Sequence, residues 1–360
     1  MTAIPPVARL AVFTLGGTIA MTGAGGGSTG ARPALTGEQL LAAVPGLEEA
    51  GAEIEIRPFR QLPGAAVSLA DIVELAEAVA DAENGGPDGA DGIDGAVVIQ
   101  GTDTIEETSY ALDLLHTGEI PVVVTGAMRN AAMAGADGPA NILAAVQVAV
   151  SRRARGAGCL VAFADEIHAA RYVRKVDATS ITAFASPGSG PVGHVVEGSV
   201  RFHAYPAGRI AVTGARAGRI PPVALVTIGI GDGGELLSAV AEPFGGAVIA
   251  AFGAGHVPPG LVPAVENLAS RMPVVLTTRT GAGSVLARSY GFPGSESDLL
   301  ARGLISGGSL DPAKARVLLQ LLLSAGVDES SIAEAVQAAG GLSQPGPGRS
   351  DLGSAATTMS

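Results

Sequence analysis

The chain has 360 residues, 34 acidic against 22 basic side chains, and a formal net charge of −12, with nearly half its residues apolar. That apolar content excludes disorder throughout, and the scattered basic residues form no patch that would hold a nucleic acid. Cys159 is the only cysteine, so no intrachain disulfide can form, and five scattered histidines without H-E-x-x-H or C-x-x-C spacing offer no tight metal site.

The length fits one large or two ordinary domains. The first residues, Met1 to Arg9, lack the basic-then-apolar order of a signal peptide, and no apolar run is long enough to span a bilayer. A cytoplasmic protein without a membrane partner is expected.

In chain order, the first apolar run, 10–15, reads as a strand closed by Gly16-Gly17-Thr18. A glycine-rich stretch follows from Met21 to about residue 35, a composition suited to a mobile lid. Thr36 with Gln39 and Ser68 with Asp71 read as capping boxes opening helices over 37–43 and 69–80. Residues 83–94 read as a surface turn and 95–99 as a buried strand. Thr104 with Glu107 reads as a third capping box, for a helix over 105–115. A strand at 121–125 precedes a helix over 141–150 opened by Asp137 and Pro139, and 159–163 is a strand holding Cys159 in the core.

The segment 165–175 is unusually charged for this chain, and 186–220 is rich in Gly and Pro without a long periodic element. Strands at 223–228, 247–251 and 274–278 alternate with helices at 262–269 and 312–323, the last capped by Asp311. The expected fold is α/β: a large N-terminal, mostly parallel sheet flanked by helices over 1–199, a linker over 200–220, and a smaller C-terminal α/β domain over 221–342. Residues 343–360 are expected to be a disordered tail.

In parallel sheets ligands collect beyond the carboxyl ends of the strands. Two stretches place threonines there beside glycine: Gly16-Gly17-Thr18 and Gly101-Thr102-Asp103-Thr104. Accessible backbone N–H groups at such turns can stabilise an oxyanion. A tight turn explains the first stretch equally well; in the second, helix capping by Thr104 leaves Thr102 and Asp103 unexplained. There is no G-x-G-x-x-G, no phosphate-binding G-x-x-x-x-G-K-[ST] and no G-x-S-x-G, so no cofactor is indicated. A threonine hydroxyl needs a base or charged network to attack. Lys175 is the candidate, with a solvated surface lysine as the alternative reading.

Phe13-Thr-Leu-Gly-Gly-Thr-Ile-Ala20 and Val98-Ile-Gln-Gly-Thr-Asp-Thr-Ile-Glu-Glu-Thr108 resemble the two signatures of the bacterial-type L-asparaginases. Val124-Thr-Gly-Ala-Met-Arg129, Ala136-Asp-Gly-Pro139, Arg171 with Lys175, and Leu310 to Gln320 extend the likeness over about residues 8–340. The resemblance implies hydrolysis of L-asparagine to L-aspartate and ammonia, with a dual glutaminase-asparaginase as the alternative and a non-catalytic amino-acid-binding relative as a further one. It implies Thr18 as nucleophile, and Thr102, Asp103 and Lys175 as a second cluster. Backbone contacts would come from Gly101 and Ala127. A homodimer or homotetramer with active sites between subunits is also implied.

The chain departs from the family pattern in places. Gln100 stands where a histidine is common. The lid, in which Met21 is the first residue, has no tyrosine up to Gln39, with Ala34 about where one would fall; Tyr290 of a neighbouring subunit is the candidate substitute. Arg60-Gln61 takes the place of a Ser-Gln pair for the substrate α-carboxylate, with Arg60 either gripping that group or facing solvent. His256 falls where relatives present polar groups to a partner's site, a structural histidine being the alternative.

Overall fold

The computed structural model describes residues 7–17, 21–22, 32–33, 35–85, 92–206, 208–239, 243–342 and 350–352. They fall into two compact units, residues 1–207 and 208–360.

In the first unit β1 (Ala8–Thr14) is followed by a short antiparallel pair, β2 (Met21–Thr22) and β3 (Arg32–Pro33). Then come α1 (Gly37–Ala42), β4 (Ala52–Pro58), α2 (Leu69–Glu83), β5 (Gly95–Ile99) and α3 (Ile105–Leu115). The chain continues through β6 (Val122–Thr125), α4 (Gly138–Val150), β7 (Cys159–Phe163) and β8 (Glu166–Ala169). Last are β9 (Arg174–Lys175), β10 (Phe184–Ala185), β11 (Gly193–Val196) and β12 (Ser199–Phe202).

Eight of these strands form a mixed sheet in the order β12-β11-β8-β7-β6-β5-β1-β4. The run from β4 to β7 is parallel, and β8, β11 and β12 are added antiparallel. The central strands β5, β6 and β7 are buried at every position, as their apolar sequences, interrupted only by Thr125 at the end of β6, require when helices cover both faces. Leu10, Val12, Val97, Ile99 and Val123 meet Ile142 and Val146 of α4 in one core. Strand β4, Ala-Glu-Ile-Glu-Ile-Arg-Pro, lies at the sheet edge, where alternate residues stay in solvent.

The Thr36 and Ser68 capping boxes form as expected, and α2 runs three residues past its expected end, to Glu83. Two expected caps differ. Thr104 makes no side-chain cap; a tight 3₁₀ turn over Thr102–Thr104 precedes α3, and its hydroxyl donates instead to Gly64 O. Asp137 occupies the cap position of α4, but its carboxylate accepts from Met128 N and Arg129 N, tying the loop after β6.

The second unit contains β13 (Ile210–Val212), β14 (Val223–Thr227), α5 (Glu235–Ala239), β15 (Gly246–Ala251) and α6 (Val262–Ala269). It continues with β16 (Val274–Thr278), α7 (Glu296–Ala301), β17 (Ile305–Ser306), α8 (Pro312–Ala325), α9 (Glu329–Ala339) and β18 (Ser350–Leu352). Strands β14 to β17 form a parallel sheet in chain order. Asp311 caps α8 by accepting from Ala313 N and Lys314 N. Strands β11, β12 and β13 lie in the stretch read as lacking a long element, because three or four residues are too few to show a period. Of the expected disordered tail, residues 350–352 pair with β13, and the remainder lies outside the described residues. Among the described residues no helix is long and apolar enough to cross a membrane.

Candidate active site

The carboxyl ends of β1 and β5 are adjacent in the sheet, and the chains leaving them touch. Gly16 and Gly17 have φ of +98° and +93°, a region that disfavours any side chain. A Cβ placed on Gly17 would lie 2.1 Å from Gly101 N, and one on Gly101 would lie 3.0 Å from Gly64 N. Three glycines therefore let three backbones meet without side chains between them. Leu62 N donates to Leu15 O, and Gln100 N to Thr125 O, so each loop is tied to its neighbour. Thr18 and Ala34 lie outside the described residues, and of Met21 only the backbone in β2 is described.

Beyond Gly101 the chain turns through Thr102 and Asp103 into α3. Thr102 is buried. Lys175 Nζ donates to Thr102 Oγ1 at 2.9 Å and to Asp103 Oδ1 at 3.0 Å, across more than seventy residues of sequence. The Lys175 side chain is 16% exposed and that of Asp103 64%, so the lysine is largely shielded while the carboxylate is open to solvent. The Lys175 backbone is held as well: its N–H donates to Glu106 Oε2 in the first turn of α3 at 2.8 Å. Thr102, Asp103 and Lys175 thus form one hydrogen-bonded cluster, with a hydroxyl, an ammonium and a carboxylate at the start of a helix whose N-terminal dipole favours negative charge.

Gln100 is fully buried, and its amide nitrogen donates to Gly101 O and Thr104 Oγ1, both at 3.2 Å. At this position a carboxamide braces the loop. Ala127 is buried in the loop after β6, next to Gly126, whose carbonyl accepts from Asn141 Nδ2 at 3.0 Å.

Arg60 and Gln61 line a cavity of about 370 Å³ together with Gly16, Thr14, Phe59 and Ile99. The Arg60 guanidinium spans the α2 side of that segment. Its Nε donates to Asp71 Oδ1 at 2.8 Å, a second nitrogen bonds Glu74, and a third donates to Phe59 O. The bond to Asp71 is the main cause that raises the guanidinium pKa above its usual value; burial opposes it, and the bond to Glu74 adds to the rise.

His256 and Tyr290 lie in the second unit, with ring centroids 4.8 Å apart, and Phe292 lies 5.1 Å from His256. His256 Nε2 is 3.1 Å from Glu296 Oε2, and Glu296 is fully buried. Burial pushes the Glu296 carboxyl up, but N–H groups of Tyr290 and Ser289 and the His256 ring outweigh it and hold the pKa below the ordinary value.

Sequence reading missed Glu106, although it stands inside the second signature, because only the folded chain brings it to Lys175. It also missed the Gly17–Gly64–Gly101 contact; the glycines were visible, but not that they meet.

Residues 9–207 match the family described as Asparaginase, N-terminal, and residues 222–336 match the Glutaminase/Asparaginase C-terminal domain. A "Probable L-asparaginase" of Deinococcus radiodurans is 37% identical over 333 residues, covering 90% of this chain and 95% of the relative. An "L-asparaginase" of Bacillus licheniformis is 36% identical, covering 88% and 95%. A "Glutaminase-asparaginase" of Pseudomonas fluorescens biotype A is 31% identical, covering 91% and 89%. Among solved structures, a "Probable Cytoplasmic L-asparaginase" from Campylobacter jejuni superposes with a TM-score of 0.78 at 31% identity, covering 91% of this chain and 99% of the other.

Proposed function

This chain belongs to the asparaginase family and is an L-asparaginase working through a threonine nucleophile; within that frame we propose which residues do what. Thr18 Oγ attacks the side-chain carboxamide carbon of asparagine. The C–N bond breaks, ammonia leaves with the proton, and an ester joins Thr18 to the aspartyl group. Water then cleaves the ester, releasing aspartate and restoring the hydroxyl. Thr102, Asp103 and Lys175 serve the proton movements of both steps, and Asp103 also pairs with the α-ammonium group of the substrate. Backbone N–H groups near Thr18 and Thr102 hold the oxyanion, with Gly101 and Ala127 lining the site. The observation that carries this reading is the amine of Lys175 bonded to both Thr102 and Asp103, next to the loop on which Gly17 touches Gly101.

The α-carboxylate contact falls on Gln61 in this proposal. Arg60, whose guanidinium is engaged by Asp71 and Glu74, anchors their shared segment to α2. Arg60→Ala should leave KM for asparagine within about 3-fold and lower the urea midpoint, because a screened surface pair adds little to binding elsewhere. A rise in KM of about 10-fold at unchanged stability would return the carboxylate to Arg60, as a bidentate grip requires.

Likeness to a relative named for both activities supports a second reading, a dual glutaminase-asparaginase, since one methylene discriminates only modestly in many pockets. We also propose a cytoplasmic homodimer or homotetramer in which His256 and Tyr290 serve a partner's site. Ammonia release from the purified protein, with asparagine and glutamine side by side, tests the reading. Release from asparagine with little from glutamine is expected, and comparable rates would establish the dual activity. No release from either by a folded sample would overturn both in favour of an amino-acid-binding relative.

A further inference from the structure

Lys175 is delivered to Thr102 by a hairpin too small to hold itself. Strands β9 and β10 pair over only two residues each, Lys175 with Phe184 and Arg174 with Ala185. An isolated pair of this size is not stable in water. The loop between the strands adds little burial of its own, since Val176 and Ile181 are 53% and 39% exposed. The position of Lys175 Nζ must therefore be set by contacts from outside the hairpin.

Among the described residues, such contacts include the following three. The Lys175 N–H reaches Glu106 on α3. The Phe184 ring lies against Phe163 of β7, with centroids 4.8 Å apart. The third is polar and deeply buried: His168 Nδ1 and Ser186 Oγ are 2.9 Å apart, with His168 on β8 and Ser186 immediately after β10. His168 is fully buried and Ser186 nearly so. The other ring nitrogen of His168, Nε2, lies 3.1 Å from Glu166 Oε2. Burying an imidazole in the strand Glu-Ile-His-Ala costs desolvation that valine or alanine would avoid, unless its bonds recover the cost. Here one of those bonds fastens the return strand of the lysine hairpin to the main sheet.

We propose that His168 is a positioning residue for Lys175, acting through Ser186. Fixed by β8, with Glu166 beside its Nε2, the ring offers Nδ1 to the Ser186 hydroxyl. That bond sets where β10 leaves the hairpin, and through the β9–β10 pairing it sets the reach of Lys175 Nζ to Thr102 and Asp103. The proposal rests on the assignment of Lys175 to catalysis made above.

The test compares Ser186→Ala, His168→Gln, their double variant and His168→Asn by steady-state ammonia release, with circular dichroism giving the folded fraction. Ser186→Ala removes only the hydroxyl, and glutamine places its amide nearer the Nε2 position, so each breaks the bond. Both should lower kcat on the order of 10- to 100-fold, as expected for a small displacement of a catalytic group, with KM changed by less than about 3-fold. The double variant should be no worse than the worse single one, because both remove one interaction. His168→Asn, whose amide can occupy the Nδ1 position, should recover most of kcat. Wild-type kcat per folded molecule in Ser186→Ala would overturn the proposal, as would multiplying losses in the double variant or a fall in thermal midpoint with kcat intact. An inactive wild-type protein in the same assay would instead overturn the asparaginase reading, which keeps the two failures distinct.

Discussion

Lys175→Met should yield a folded protein whose kcat for asparagine is lower by on the order of 10³-fold, within the range that a positioned proton-transfer group contributes. Methionine keeps the length and apolar stem of lysine, so the hairpin of β9 and β10 retains its packing while the ammonium is lost. Two hydrogen bonds go with it, to Thr102 Oγ1 and to Asp103 Oδ1. Thr102 is then a buried hydroxyl without its charged neighbour, and a threonine in that state is a poor participant in proton transfer at neutral pH. KM should move far less than kcat, because the amine bonds Thr102 and Asp103, the groups proposed to move protons. Intact-mass measurement during turnover separates the two steps. If Lys175 serves mainly hydrolysis of the ester, an aspartyl adduct on Thr18 accumulates in the variant; if it serves attack, the protein stays unmodified. A kcat within about 10-fold of wild type would remove Lys175 from the chemistry. An adduct that forms on Thr102 after Thr18→Ala would exchange the roles of the two threonines.

The residues of this cluster were legible in the sequence, but their meeting was not. Thr102 and Asp103 follow an all-buried strand, so their place at its carboxyl end could be read from the apolar run before them. Lys175 could not be separated from a surface lysine on sequence grounds, because its side-chain partners lie more than seventy residues away and its hairpin has no hydrophobic period. The caps show the same division. Ser68 and Thr36 bond within their own first turns, and the local pattern sufficed. Thr104 and Asp137 carry equally good local patterns, yet Gly64 O takes one side chain, and the N–H groups of Met128 and Arg129 take the other. Local rules fail where a nonlocal partner competes for the same oxygen, and here that happens on the two loops bordering the site. Strand β4 escaped sequence reading for another reason: it is an edge strand whose glutamates interrupt the apolar run.

Gly17→Ala should be more damaging than its single added methyl suggests. At φ of +93° an alanine is strained by about 1–2 kcal/mol before any contact is considered. The methyl would also sit 2.1 Å from Gly101 N and 2.2 Å from Gly101 Cα, and neither backbone atom can rotate away as a side chain could. The loops after β1 and β5 must part, at a further cost of roughly 1–3 kcal/mol for overpacking. In sequence those loops lead to Thr18, the proposed nucleophile, on one side and to Thr102 with Asp103 on the other, so parting them should disturb the alignment that the proposed reaction needs. Loss of kcat by at least about 100-fold is expected even in molecules that remain folded, since misplacement by about 1 Å has that effect. Gly46→Ala provides the control. It has a positive φ of +76° with nothing within 4 Å of the new methyl, so it reports backbone strain alone. Urea unfolding of the two variants should place Gly17→Ala well below Gly46→Ala, with activity lost only in the former. Equal stability and equal activity would mean that the two loops can separate at no cost, and the close backbone contact at Gly101 would then have no part in holding the site together.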